Sequence, residues 1–148
     1  MDAITLLKDD HQTVKRLFRE LKPLTEAAVK SRTELFERLQ RELEMHAHIE
    51  EKIFYPVLRK ESETHSITLE GVEEHHVIKM LLRELAEMDV ATEKWAAKLN
   101  VLRENVEHHI EEEEDDMFPG ARDVLDHARI VELGDQMQEE KRRYKSGV

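Results

Sequence analysis

Two stretches of this chain repeat one another: His46–Pro56 reads HAHIEEKIFYP, and His109–Pro119 reads HIEEEEDDMFP. With their first residues aligned, His46 matches His109, Glu50 matches Glu113, Glu51 matches Glu114, Tyr55 matches Phe118 and Pro56 matches Pro119. In each copy a histidine precedes a glutamate by four residues, and on a helix such a pair shares one face. That face is apolar in both copies. The helical period gives Leu39, Leu43, His46, Glu50, Ile53 and Val57 in the first, and Leu99, Leu102, Val106, His109, Glu113 and Met117 in the second. An ionised carboxylate turned into a core is costly unless it is paired or bound to a metal.

A second repeat lies upstream of the first. HQTVKRLFREL (His11–Leu21) and HHVIKMLLREL (His75–Leu85) align without a gap at an offset of 64. The chain therefore reads as a duplicated helix pair, residues 1–60 and 65–120. Two hairpins with short connections pack most simply as an antiparallel up-down four-helix bundle. The fold expected is all-α, one domain over 1–148, with the bundle at about 3–119 and a short fifth helix at about 128–144. Composition agrees: hydrophobic and charged residues each make up 39%, with 4 Gly and 3 Pro, which suits amphipathic helices better than a turn-rich sheet.

Boundaries follow from local chemistry. The first helix runs from Ala3 to Leu21, ended by Pro23. Ser31 and Glu34 have the spacing of a capping box and open a second helix that reaches about Leu58, kinked or terminated near Pro56. Residues 61–66 read as a loop, and the third helix runs from about Ile67 to Met88, weakened at its start by Gly71. Asp89–Thr92 forms a turn. The fourth helix then covers Glu93–Met117 and stops at Pro119–Gly120. In the last helix Ile130, Leu133 and Met137 share a face, and a charged tail follows. Trp95, Phe18, Phe36 and Phe54 have the spacing of core residues.

The net charge of −11 repels nucleic acid and anionic membranes, so neither is an expected partner. There is no cysteine, hence no disulfide and no thiol chemistry. No signal segment or apolar run of membrane length is present, so a cytoplasmic protein is expected. Histidine is the unusual entry, with nine in the chain.

The duplication sets His11 beside His75, and His46/Glu50 beside His109/Glu113, about a pseudo-twofold axis. Four histidines and two glutamates then converge inside the bundle from four helices, the way bundles build di-iron and di-manganese sites. Imidazole with carboxylate suits iron, manganese or zinc rather than calcium. Each histidine ligates through one nitrogen, leaving the other for a carbonyl or carboxylate. His48, His76 and His108 are rotated to helix flanks, and His65 and His127 fall in exposed connectors. Most of the run Glu111–Asp116 is a solvated face, with Glu113 the exception. A straight helix sets Tyr55 off the ligand face, while a kink before Pro56 would swing it inward.

The order H…HxxxE…H…HxxxE, with E-E-x-x-[IM]-[FY]-P trailing the second and fourth elements, resembles the hemerythrin-like HHE cation-binding domain over about residues 1–135. The resemblance implies two iron ions with an oxo or hydroxo bridge, one held by His11 and His46 and the other by His75 and His109. Glu50 and Glu113 would be the bridging carboxylates. Two departures stand out. Oxygen-carrying members have a further histidine where this chain has Lys79, and they space the last carboxylate so as to select Glu114. The internal repeat favours Glu113, whose mate is Glu50. One histidine fewer leaves an iron more open and shifts the expectation from reversible oxygen carriage toward peroxide chemistry or weaker metal binding.

Two functional readings follow from the resemblance. In the first the protein binds a diatomic ligand or peroxide (O2, NO or H2O2) for carriage, sensing or buffering, any signalling requiring a protein partner that the sequence does not identify. In the second it is a di-iron enzyme that decomposes hydrogen peroxide in the manner of a catalase, with Lys79 as the one acid–base candidate near the site. A third reading is a structural bundle holding zinc or no metal.

Overall fold

The computed structural model describes residues 1–145. Helix α1 (Ala3–Leu21) opens at Asp2, whose side chain accepts from the Thr5 N–H at 2.8 Å, and it ends just before Pro23. Helix α2 (Val29–Ile49) begins three residues earlier than the Ser31 box implies, and Ala28 enters it with no side-chain cap. The box does not form because Arg32 anchors this end instead. Its buried guanidinium donates to Leu24 O at 2.9 Å and Val90 O at 2.6 Å, and lies 5.2 Å from the Trp95 ring centroid. One side chain thus pins two connectors, and a tertiary contact overrides the local cap signal.

Neither proline ends its helix. After α2 the backbone widens into one turn, π1 (Glu50–Phe54), where Tyr55 N–H reaches five residues back to Glu50 O, and then resumes as α3 (Tyr55–Arg59). The second copy does the same. Helix α5 (Glu93–Glu112), capped by Thr92, passes through π2 (Glu113–Met117), where Phe118 N–H reaches Glu113 O, into α6 (Phe118–Val124). The expected stop at Pro119–Gly120 is therefore corrected: a wide turn absorbs the proline. Proline lacks an N–H and its ring clashes with the carbonyl four residues back. Slipping the hydrogen bonds by one residue removes that conflict and keeps the rod going.

Between these rods, α4 (His65–Ala86) starts two residues before Ile67 and ends two before Met88. Its start is fixed by Thr64 Oγ1 donating to Leu58 O at 2.6 Å and by His65 Nδ1 donating to Arg59 O at 2.8 Å. The last helix, α7 (His127–Lys145), packs on α1, α2 and π1. It comes very close to the chain's start: a Cβ on Gly134 would lie 2.2 Å from Met1 O and 2.7 Å from Ala3 N. The charged end expected of this helix is part of α7, whose final turns carry Glu139, Glu140, Lys141, Arg142, Arg143 and Lys145; residues 146–148 lie outside the described residues.

The fold is the all-helical bundle that the repeats imply, with α7 laid along one side. Its apolar interior comes in two parts. One gathers Ile4, Leu7, Ile49, Phe54, Phe118 and Met137 around the π turns. The other gathers Val14, Phe36, Leu39, Leu82, Trp95 and Leu102 toward the connectors pinned by Arg32. Between them lies a layer of buried polar groups: His11, His46, Glu50, His75, His109 and Glu113. Among the described residues no helix is long and apolar enough to cross a membrane.

Candidate metal centre

The six side chains singled out by the repeats meet in this layer. Glu50 and Glu113 are fully buried, and each histidine is at most 5% exposed. Glu113 Oε1 lies 2.9 Å from His11 Nε2, and Glu50 Oε1 lies 3.0 Å from His75 Nε2. Within each HxxxE pair, His46 Nε2 is 3.2 Å from Glu50 Oε1 and His109 Nε2 is 3.5 Å from Glu113 Oε1. The donors form two overlapping groups, Glu50/His75/His109/Glu113 and His11/His46/Glu113, each with ligand atoms within 4.8 Å of one another.

Every Nε2 faces the centre because every Nδ1 is held from outside by a carboxylate. His11 Nδ1 donates to Glu114 Oε2 at 2.7 Å and His75 Nδ1 to Glu51 Oε2 at 2.8 Å. His46 Nδ1 donates to Asp10 Oδ2 at 3.0 Å and His109 Nδ1 to Glu74 Oε1 at 2.5 Å. These four carboxylates obey the duplication: Asp10 and Glu74 share one register, Glu51 and Glu114 the other. The sequence reading passed over them as outer ligands, although an acidic residue directly before each first-helix histidine, in both copies, was a usable signal. Glu113 enters the central layer, and Glu114 supports His11 from the rim.

Tyr55 is brought inward by π1. Its hydroxyl donates to Glu113 Oε2 at 2.6 Å, lies 3.3 Å from Glu50 Oε1 and 3.5 Å from His75 Nε2, and its ring stacks on His75. A straight α-helix would turn residue i+5 away from residue i, whereas closing five residues per hydrogen bond sets Glu50 and Tyr55 over one another. Gly71 on α4 makes room for the ring: a Cβ there would lie 3.0–3.1 Å from Tyr55 Oη, Cε2 and Cζ. The glycine thus has a packing role beyond its effect on helix propensity. The remaining histidines stay outside the layer. His48 contacts Glu140 on α7 at 2.7 Å and His108 lies 3.1 Å from Glu112, while His65, His76 and His127 are exposed.

The buried groups of the layer act on one another's ionisation. Burial works against a charge on His46, yet the Glu50 carboxylate and the Asp10 hydrogen bond hold its pKa well above the usual value. Burial likewise opposes charge on His109, but Glu113, Glu50 and Glu74 push it up to about 10. His75, with carboxylates on both nitrogens, is also raised against its burial. Glu50 is driven up by burial and pulled well below the ordinary carboxylate range by the His46 charge. Glu113 is pushed up by burial and by Glu50, and ends lowered through His109 and His11. Burial and both carboxylate charges raise the Tyr55 phenol well above its normal value, so it keeps its proton. Protons stand here where a cation could stand.

Three atoms test whether a metal fits. His46 Nε2, His109 Nε2 and Glu50 Oε2 are buried and have no hydrogen-bond partner. The two nitrogens have only neighbouring carboxylates, the nearest at 3.2 and 3.5 Å, out of hydrogen-bond alignment. All three atoms belong to one cluster of imidazole and carboxylate donors whose buried polar atoms are under-satisfied. A cation shared by the cluster satisfies all three, so the residues fit a metal. Beside the layer is a cavity of about 20 Å³, walled by the four histidines, by Val14, Leu43, Ile78, Leu82, Val106 and Ile110, and at its edge by Lys79. A single water needs about 10–15 Å³ by the same measure, so the cavity has room for a molecule of one or two heavy atoms. Lys79 is tied to Glu51 at 3.0 Å.

Known proteins agree with this architecture. Residues 2–121 match the family model described as the hemerythrin HHE cation-binding domain. The chain is 34% identical over 143 residues to proteins described as uncharacterized in Mycobacterium tuberculosis and Mycobacterium bovis, covering 93% of this chain and 83% of theirs. It superposes with a TM-score of 0.88, at 26% identity, on the crystal structure of a hemerythrin HHE cation-binding domain-containing protein from Mycobacterium kansasii, covering 99% of this chain and 89% of that one. The buried donor layer, the duplicated helix pairs and these matches show that the chain belongs to the hemerythrin HHE cation-binding domain family.

Proposed function

We propose that this protein holds two iron ions in the buried layer and there binds O2, NO or peroxide. In this reading His11 and His46 would hold one ion and His75 and His109 the other, with Glu50 and Glu113 as the carboxylates shared between them. The observation that carries it is the set of stranded donors, His46 Nε2, His109 Nε2 and Glu50 Oε2, beside an apolar cavity of about 20 Å³. Iron bound there supplies the electrons and the open coordination positions that such ligands need. The chain supplies the rest. Asp10, Glu51, Glu74 and Glu114 fix the rings with Nε2 inward and strengthen the imidazoles as donors. The apolar wall admits small molecules and keeps bulk water out.

The test is the metal content of protein purified without chelator, read with its visible spectrum. Two irons per chain and a spectrum that changes on adding azide, NO or peroxide are expected. One zinc, or a stable helical protein without metal, would overturn the proposal.

A second reading, decomposition of hydrogen peroxide, is favoured by Tyr55. Two molecules of peroxide yield one of dioxygen and two of water, so protons must be moved between oxygen atoms. Tyr55 Oη lies inside the layer and hands a hydrogen bond to Glu113 Oε2, a path along which a proton can pass that Lys79 at the rim does not offer. Oxygen evolution on adding peroxide separates the enzyme from a carrier.

A further inference from the structure

The two halves of the layer are built from matching residues but have unlike surroundings. In the first half Asp10 Oδ2 holds His46 Nδ1 at 3.0 Å, while Asp10 Oδ1 accepts from Lys141 Nζ at 2.5 Å. Lys141 belongs to α7, outside the duplication. Met45 and Ile49 of α2 are buried, and Ile49 packs in one apolar cluster with Ile130, Leu133 and Met137 of α7. In the second half the repeat-mates of Asp10, Met45 and Ile49 are Glu74, His108 and Glu112. Glu74 Oε1 holds His109 Nδ1 at 2.5 Å, and Glu74 Oε2 faces His108 Nε2 at 3.8 Å, itself 3.1 Å from Glu112 Oε1. The same outer-carboxylate position thus meets an ammonium in one half, and an imidazole and a second carboxylate in the other.

A further asymmetry points the same way. Four donor atoms, from Glu50, His75, His109 and Glu113, already lie within 4.8 Å of one another in the second half, against three from His11, His46 and Glu113 in the first. A carboxylate on the outer N–H of a histidine strengthens that histidine as a ligand. An ammonium on the carboxylate's other oxygen draws its charge away, and a positive charge near a cation site disfavours the cation directly. The other register carries an opposing pair, Lys79 on Glu51 at 3.0 Å behind His75. Those side chains are 41% and 31% exposed, against 19% and 7% for Lys141 and Asp10, so solvent screens Lys79 far more and the buried Lys141–Asp10 pair dominates.

We infer that the two metal positions are unequal: the His75/His109 position fills first and more tightly, and Lys141 acts as a positioning residue that weakens the His11/His46 position. The inference rests on the two-metal reading above. Its structural consequence is that α7, added to one side of a duplicated bundle, breaks the functional symmetry of the halves.

The experiment is an equilibrium titration of the metal-free full chain with Co(II), followed by visible absorption. Two steps are expected, separated by about tenfold or more in affinity. His75→Ala should abolish the tighter step and His11→Ala the weaker. Lys141→Met and Lys141→Gln, with helicity checked first, should tighten the weaker step by about tenfold, while Lys141→Arg should keep the separation. A single step in the unaltered chain, or the reverse assignment by the histidine variants, overturns the inequality. Neutral variants that leave the weaker step alone or weaken it overturn the role of Lys141. A chain that takes up no Co(II) at all refutes the two-metal reading instead, a different failure from a single-step curve.

Discussion

Tyr55 and Glu113 stand in opposite copies of the duplication, yet the tyrosine hydroxyl donates to Glu113 Oε2 at 2.6 Å. The repeat-mate of Tyr55 is Phe118, whose ring stacks on His11 as the Tyr55 ring stacks on His75. Both halves use the proline-associated wide turn to press an aromatic ring against a histidine. Only one of the rings carries a proton.

That difference isolates the hydroxyl. Tyr55→Phe should retain two metals per chain, because the ring, its stacking and the six donors remain. If Tyr55 relays protons, peroxide turnover falls by about a hundredfold while metal content is unchanged. Oxygen-electrode rates paired with metal analysis check this, and an undiminished rate would remove Tyr55 from the chemistry.

Gly71→Ala tests the space behind the same ring. Its Cβ would press on Tyr55 at 3.0–3.1 Å, and the ring is fully buried with its hydroxyl engaged. Overpacking of this kind costs about 1–3 kcal/mol, more than alanine's gain in helix propensity of about 1 kcal/mol. Chemical denaturation should therefore show net loss of stability. A more stable variant would mean that the ring yields freely.

Glu113→Gln and Glu114→Gln should behave differently despite being neighbours. The first removes charge from the centre and should drop the metal content below two per chain. The second weakens only the outer hydrogen bond to His11, and should keep two metals at an affinity lowered by about tenfold. Identical losses would mean that Glu114, rather than Glu113, reaches the metals.

The ionisable layer also predicts a pH dependence for the metal-free protein. His109, raised to about 10, and His46 and His75, raised above the ordinary histidine value of about 6.5, add stability that is complete below pH 6.5 and lost as pH rises through their folded values. Glu50 and Glu113, lowered from 4.5, add stability that is present above that value and lost as pH falls through their depressed values. The metal-free melting temperature should thus peak between about pH 4.5 and 6.5 and decline toward pH 10. Metal requires deprotonated ligands, so the extra stability conferred by loading should grow with pH over the same range. Thermal scans with and without metal measure both trends, and uptake in weak buffer should release protons.

Much of the fold was legible because it is periodic. The stripes through His11, His46, His75 and His109 recur at helical spacing, and their duplication called for a bundle with a buried polar layer. The six inward donors came from the same reading, since a carboxylate in an apolar stripe demands a partner. Local rules failed where a tertiary contact outweighed them. The capping box at Ser31 lost to Arg32 reaching Leu24 and Val90, and the helices widen by one turn before the prolines at 56 and 119 without ending there.

Spacing along one chain determined which residues could share a helix face, and with it the duplicated bundle and its inner ring of histidines and glutamates. What only the tertiary structure decided are the contacts between faces: Tyr55 against Glu113, Gly71 behind the tyrosine ring, and Lys141 on Asp10. Periodicity constrains angles about one helix axis. It carries no information on a one-residue slip in the hydrogen-bond ladder, or on where an unrepeated helix such as α7 comes to rest.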